Sequence, residues 1–419
     1  MKPTNLFHIL LLLLSFSAIS CQSDDGLPVY EDGTNQYVNQ WTYEQMKKYY
    51  YWSDSMPNKT DLSLNPKDYF EKLLNPNDPF SYTLNPSLPE TAPQNLRKRF
   101  GFDIAFVQHQ GQSFGVILYV LSNSPAQNNG LRRGQFITAI DGTLLTHGNF
   151  DTLYRKLVNS TIAQLQLVDY SGQTGFSSPK EVAILQGFTF SQPMPYHIFQ
   201  MQNHKVGYVE ISHFDVGDAQ SFMQIFQQFK SQSINELIID LRYNGGGDIS
   251  SATALSILIA PNIQANDLFI EYEGNRNGGD IDQTFQEALE MNESQLSFTS
   301  LRSAHPALQK VYVLCGSHTA SASEIIINNL KPFMQVITIG KKTVGKDVAG
   351  FPITDDRIPG QQGWVLYPSI YKLFNADHQG SYSDGINPSL EVDEISELEI
   401  FPLGDQRESL LKKALNTIE

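Results

Sequence analysis

The hydrophobic rhythm of the chain changes twice along its length. "NQYVNQWTYEQMKKYYYW" (35–52) sets Val38, Trp41, Gln45 and Tyr49 at near-helical spacing before "SDSMP" stops it. A second helix is predicted from Pro66 over "PKDYFEKLL", ended by the turn residues "NPNDP". From about Arg97 to Gln186 the runs are short and alternating, "GFDIAFV", "FGVILYV", "QFITAIDG" and "IAQLQLVDY", with glycine-bearing turns between them, which predicts a small β-rich unit. Beyond Gly187, strands and helices take turns. "KVGYVEI", "ELIIDLR", "VYVLC" and "QVITIG" read as strands; "DAQSFMQIFQQFK", with Phe222, Ile225, Phe226 and Phe229 on one face, "SSATALSILIAP" and "SEIIINNL" read as helices. This alternation predicts an α/β fold, a largely parallel sheet covered by helices. "EYEGNRNGGDIDQTF" reads as a polar surface loop, and the end of the chain as a capped amphipathic helix.

Residues 1–20, "MKPTNLFHILLLLLSFSAIS", join one lysine to an apolar stretch and end in small residues, the pattern of a secretory signal and short for a membrane span. "AISC", ending at Cys21, resembles the lipobox of bacterial lipoproteins, which implies export, acylation of Cys21 and a lipid anchor in the outer membrane; ordinary secretion is the alternative. "QSDD" behind it resembles the acidic signal that sends Bacteroidetes-type lipoproteins to the outer face of that membrane. The chain thus divides into a signal (1–20), a flexible tether (21–34), a helical domain (35–96), a β-rich domain (97–187) and an α/β core (188–419).

Composition removes several function classes. Acidic side chains outnumber basic ones 44 to 29, a formal net charge of −15, and Lys and Arg do not cluster, so nucleic acid is not an expected partner. The only cysteine besides Cys21 is Cys315, which reads as a small buried hydrophobe inside a strand. No His/Cys grouping has metal-ligand spacing, and neither metal nor cofactor is expected.

Candidate chemistry falls at the carboxyl edge of the predicted sheet, where α/β folds gather ligands. "RYNGGGD" (242–248) follows one strand, its glycines allowing close backbone approach to a substrate. "TASASE" (319–324) follows another, with two serines at the start of a helix. Further on, "KKTVGKDVAG" offers Lys346, which could act as a base if desolvation kept it neutral; as a lone lysine it would read as a surface charge. His318 is a rival base three residues before Ser321, and Asp240 and Arg242 read as a buried structural pair.

These motifs together resemble the C-terminal-processing peptidase (tail-specific protease) family. The resemblance runs from "YYYWSDSMP" through "LIIDLRYNGGG", "TASASE" and "TVGK" to "SDGINPS" and "PLGD". It implies a crotonase-like/ClpP-like ββα core with an inserted PDZ domain and a small N-terminal helical domain, acting as a serine endopeptidase on protein or peptide tails. By the same resemblance Ser321 is the nucleophile, Lys346 its base, and the backbone N–H groups of Gly246 and Ala322 the oxyanion hole, with Ser323 in support. "SPAQNNGLRRGQFITAIDGTLL" is similar to the PDZ signature, which makes "RFGFD", with Phe100, Gly101 and Phe102, the peptide-carboxylate loop; a generic β-barrel is the other reading of this unit. One departure stands out: many members carry a glutamine four residues after the lysine, and here that position is Gly350. It leaves open a catalytically silent, peptide-binding surface lipoprotein of the same fold.

Overall fold

Alternation along buried strands builds the core of the molecule. In Glu236–Asp240, Leu237 and Ile239 enter one apolar cluster and Ile238 the cluster on the opposite face; in Lys310–Cys315, Val311, Val313 and Cys315 are separated in the same way from Tyr312 and Leu314. Because both faces are covered, these strands read as unbroken apolar runs. The computed structural model describes residues 30–58, 61–187, 192–293 and 295–418; the signal segment, Cys21 and the first part of the tether lie outside the described residues. No helix among the described residues is long and apolar enough to cross a membrane.

The central sheet has six strands in the spatial order Tyr196–Gln200, Lys205–Glu210, Glu236–Asp240, Lys310–Cys315, Gln335–Gly340 and Leu390–Glu391. The first pair is antiparallel and every later pair is parallel, so the chain adopts the mixed α/β class expected of it. Helices Asp218–Ser231, Ile249–Ile259 and Ala322–Asn329 pack on one face, and Ser409–Ile418 covers the other through Leu411, Ala414 and Leu415.

The β-rich unit sets Phe102–His109, Gln112–Val120, Phe136–Ile140, Ile162–Val168 and Lys180–Leu185 side by side, all antiparallel, and helix Phe150–Asn159 closes their core with Leu153 and Leu157. Helices Asn35–Tyr49 and Pro66–Leu73 do not close a core of their own. Val38, Trp41, Met46 and Phe70 share one cluster with Trp364 and Leu366, and strand Tyr82–Leu84 pairs with Val365–Tyr367, so the N-terminal segment is completed by chain from the far end of the sequence. "EYEGNRNGGDIDQTF" (271–285), expected as a loop, supplies most of an antiparallel hairpin, Leu268–Glu273 against Asp280–Thr284; Phe269 and Ile270, just ahead of that stretch, are buried in the core, and the glycines mark its turn.

A buried ionic network ties these units together. Arg242, 1% exposed, donates through Nε and Nη2 to Asp240 (2.9 and 2.8 Å) and through Nη2 to Glu408 (2.9 Å) just ahead of the last helix. Arg133 of the β-rich unit reaches Glu394 (2.8 Å), whose carboxylate also accepts from Tyr243 Oη (2.7 Å) and Arg242 Nη1 (3.2 Å). Burial alone would raise the Glu408 carboxyl, but the Arg242 guanidinium outweighs it and holds it down to about 2, from an ordinary 4.5.

Removing one member of such a group strands the others as unpaired buried charge. Arg242→Ala is therefore expected to destabilise the fold by about 3–5 kcal/mol in urea denaturation. The Glu408 contribution, with its folded value depressed, should be present above pH 4.5 and be lost as pH falls toward 2; acid unfolding of Glu408→Gln against wild type checks this sign.

Candidate active site

Two loops leave the carboxyl ends of adjacent parallel strands and are laced to each other. Asn244, fully buried, accepts the Ala320 N–H (3.2 Å) and the Ser323 hydroxyl (3.0 Å) at its carbonyl, while Thr319 Oγ1 donates to the Leu241 carbonyl (2.8 Å). Ser323 is thereby spent on structure. Ser321 stands one residue ahead of helix Ala322–Asn329 with φ +58° and ψ −120°, a conformation that costs a non-glycine residue about 1–3 kcal/mol and is found where function requires it. Gly246 makes room for it: a Cβ on Gly246 would lie 2.7 Å from Ser321 Cβ and 3.0 Å from the Ala322 nitrogen.

The strained turn is held by one carboxylate. Glu324, on the first turn of the helix and fully buried, accepts the Ser321 N–H (2.9 Å) and the Lys346 N–H (2.8 Å) on Oε2, and the Gly345 N–H (2.7 Å) and Thr343 hydroxyl (2.6 Å) on Oε1. Burial keeps its carboxyl above the usual range, with these four donors pulling it back. The backbones of Ser321 and Lys346 thus meet on the same oxygen atom.

Lys346 is half-buried, and desolvation lowers its amine below the ordinary lysine value of 10.5, against the opposing charges of Asp78 and Glu324. Its Nζ lies 5.9 Å from the centre of the Phe80 ring. Among the described residues no hydrogen bond joins Ser321 Oγ to Lys346 Nζ; what brings the two segments together is the donation of both backbones to Glu324. His318 is aimed elsewhere: Nε2 lies 3.4 Å from Asp103 Oδ2 on the β-rich unit, and its ring packs on Tyr243.

Two expected donors are already committed. The Gly246 N–H donates to Asn244 Oδ1 at 2.8 Å, which leaves Ala322, at the start of the helix, as the unspent member of the expected pair. Gly101, expected in a peptide-carboxylate loop, has φ +83° and caps helix Leu96–Phe100, its N–H donating to Leu96 and Arg97 carbonyls; Phe100 and Phe102 are fully buried core residues. That segment presents no free donor at Gly101 because the helix end consumes it. Burial also pushes the Cys315 thiol up to about 12, which removes it as a nucleophile. Glu324, Thr343 and Asn244 went unpredicted, although Ser321 with Glu324 three residues on is the spacing by which a carboxylate reaches back to a helix N-cap.

The Peptidase family S41 model matches residues 205–392 and the Peptidase S41 N-terminal domain model residues 37–82, together more than half of the chain. The chain is 25% identical over 281 residues to a carboxyl-terminal-processing protease of Synechocystis sp., covering 66% of this chain and 59% of that one. It is 22% identical to the carboxy-terminal processing protease CtpB of Bacillus subtilis, covering 66% and 52% respectively. The chain therefore spans little more than half the length of these relatives. A solved structure from Bacteroides fragilis that carries the S41 protease label superposes with a TM-score of 0.71 at 26% identity, covering 94% of this chain and 98% of the other.

The carboxylate at the centre of the site yields a direct test. In Glu324→Gln one carboxylate oxygen becomes an NH2 group that can only donate, facing buried N–H or hydroxyl donors. The variant should lose about 2–4 kcal/mol of stability, read by thermal or urea unfolding, with protection from hydrogen exchange lost first over residues 343–346.

Proposed function

The chain belongs to peptidase family S41, and on that premise we propose that it is a serine endopeptidase of the C-terminal-processing type, cutting protein or peptide tails with Ser321 as nucleophile and Lys346 as base. The observation that supports this reading is the shared Glu324 oxygen, on which the backbone N–H groups of the strained Ser321 and of Lys346, whose amine is desolvated, both meet at a helix N-terminus. The six-stranded sheet with its helices serves as a crotonase-like/ClpP-like core, and the β-rich unit as a PDZ domain that holds or gates the substrate. The His318–Asp103 contact gives that unit a handle on the serine loop. Cys21 carries the lipid that tethers the exported protein to the outer membrane.

In the reaction Ser321 Oγ attacks the scissile carbonyl as neutral Lys346 takes its proton. The Ala322 N–H, on the first turn of the helix, stabilises the oxyanion, a donor contributing roughly 3–4 kcal/mol. Protonated Lys346 then passes its proton to the departing amine, and water, deprotonated by the same lysine, releases the acyl group and restores the serine.

The committed Gly246 N–H favours a second reading, a peptide-binding protein that does not cut. Incubation of the purified full-length chain with unstructured protein separates the two. Cleavage should be seen, fall by about 10³-fold or more in Ser321→Ala and in Lys346→Ala, and persist in His318→Ala. Its kcat/KM should rise with pH to a plateau reached below the ordinary lysine value, since only the neutral amine can accept the proton. Equal inertness of wild type and Ser321→Ala, with tail peptides still bound, would leave the binder.

A further inference from the structure

Position 350, where the family resemblance places an orienting glutamine, is closed to any side chain. A Cβ on Gly350 would lie 2.1 Å from the Pro368 carbonyl oxygen, so the path of the chain through Pro368 and Ser369 takes the space a glutamine would need. That same segment is fastened to the N-terminal part of the molecule. The Ser369 N–H donates to Ser81 Oγ (2.8 Å), and Ser369 Oγ donates to Asp78 Oδ1 (3.1 Å). Asp78, 5% exposed, also accepts the Phe80 N–H (3.0 Å), the Ser81 N–H (3.1 Å) and the Ser81 hydroxyl. The result is a locked turn, "DPFS", whose projecting side chain is Phe80, half-buried with its ring 5.9 Å from Lys346 Nζ. The carboxylates that act on Lys346 are Asp78 and, more weakly, Glu324; Asp347 next to it is turned to Lys372 Nζ at 2.7 Å.

We propose that the Asp78–Ser81 turn replaces the missing glutamine as the positioning device for Lys346, with the Phe80 ring covering the amine and the anchored Asp78 carboxylate setting the field around it. Both are positioning residues acting through Lys346, and the proposal rests on the reading of Lys346 as the base. The covering contact and the carboxylate act in opposite directions. The Phe80 ring, 5.9 Å from the amine, is part of the burial that favours the neutral form. Asp78 favours the charged amine.

The test reads Lys346 in two ways in the full-length chain. Competitive acetylation with dilute acetic anhydride across pH, quantified by mass spectrometry, gives the titration midpoint of Lys346; cleavage of unstructured protein gives the acid limb of kcat/KM. Phe80→Ala should raise both by about half a unit or more, Asp78→Asn should lower both by a similar amount, and Phe80→Tyr should restore the wild-type values. A merely structural role would not move the two variants in opposite directions. Should Asp78→Asn fail to fold, Phe80→Ala against Phe80→Tyr carries the comparison. An unchanged Lys346 midpoint in Phe80→Ala overturns the proposal. If the midpoints move as stated while the acid limb of cleavage stays in place, the turn does position Lys346, and it is the assignment of Lys346 as base that fails.

Discussion

A single buried carboxylate organises this site. Glu324 can only accept, and each of its oxygens takes two donors, one contributed by the serine's own backbone and three by the loop that carries the lysine. Those charge-assisted bonds are what an otherwise irregular loop gains by lying against the serine helix. They also hold Ser321 in a backbone conformation it would not keep alone. Placing Ser321 at the start of a helix and fixing the lysine loop are therefore one structural event.

Beneath this layer the Arg242 network does the same for the opposite wall of the site. It joins the strand that precedes the glycine turn to the segment before the last helix and to Arg133 on the β-rich unit. Bringing this many charges out of water is costly unless all are paired, so the network constrains geometry more than it adds net stability. The wall around Lys346 comes from a third source, the Asp78 turn fastened to Ser369. Stretches far apart in sequence are thus joined through buried acids whose acceptor sites are filled by donors from distant segments as well as near ones.

Much of this was legible in advance for a local reason. Strand and helix positions in the core follow from periodicity, because burial on both faces of a sheet and on one face of a helix leaves a direct imprint on residue order. The place of Ser321 at a strand-to-helix junction and of Ser323 on the first helical turn was legible from the order of the elements. Less visible were the contacts that decide what a backbone group is free to do. The Gly246 N–H goes to Asn244 and the Gly101 N–H to a helix end, and neither motif announces that a neighbour two to five residues away will claim the donor.

Residue order alone determined the α/β class, the apolar faces, the strand-to-helix junction that carries the serine and the small residues that give it room, since each depends on neighbours within a few positions. Tertiary structure alone decided that helices near the start of the chain share a core with Trp364, that His318 turns toward Asp103 and away from the serine, and that Phe80 lies over the amine of Lys346. Those outcomes depend on which distant segments compete for the same space and the same hydrogen-bond donors, a competition settled only when the whole chain has packed.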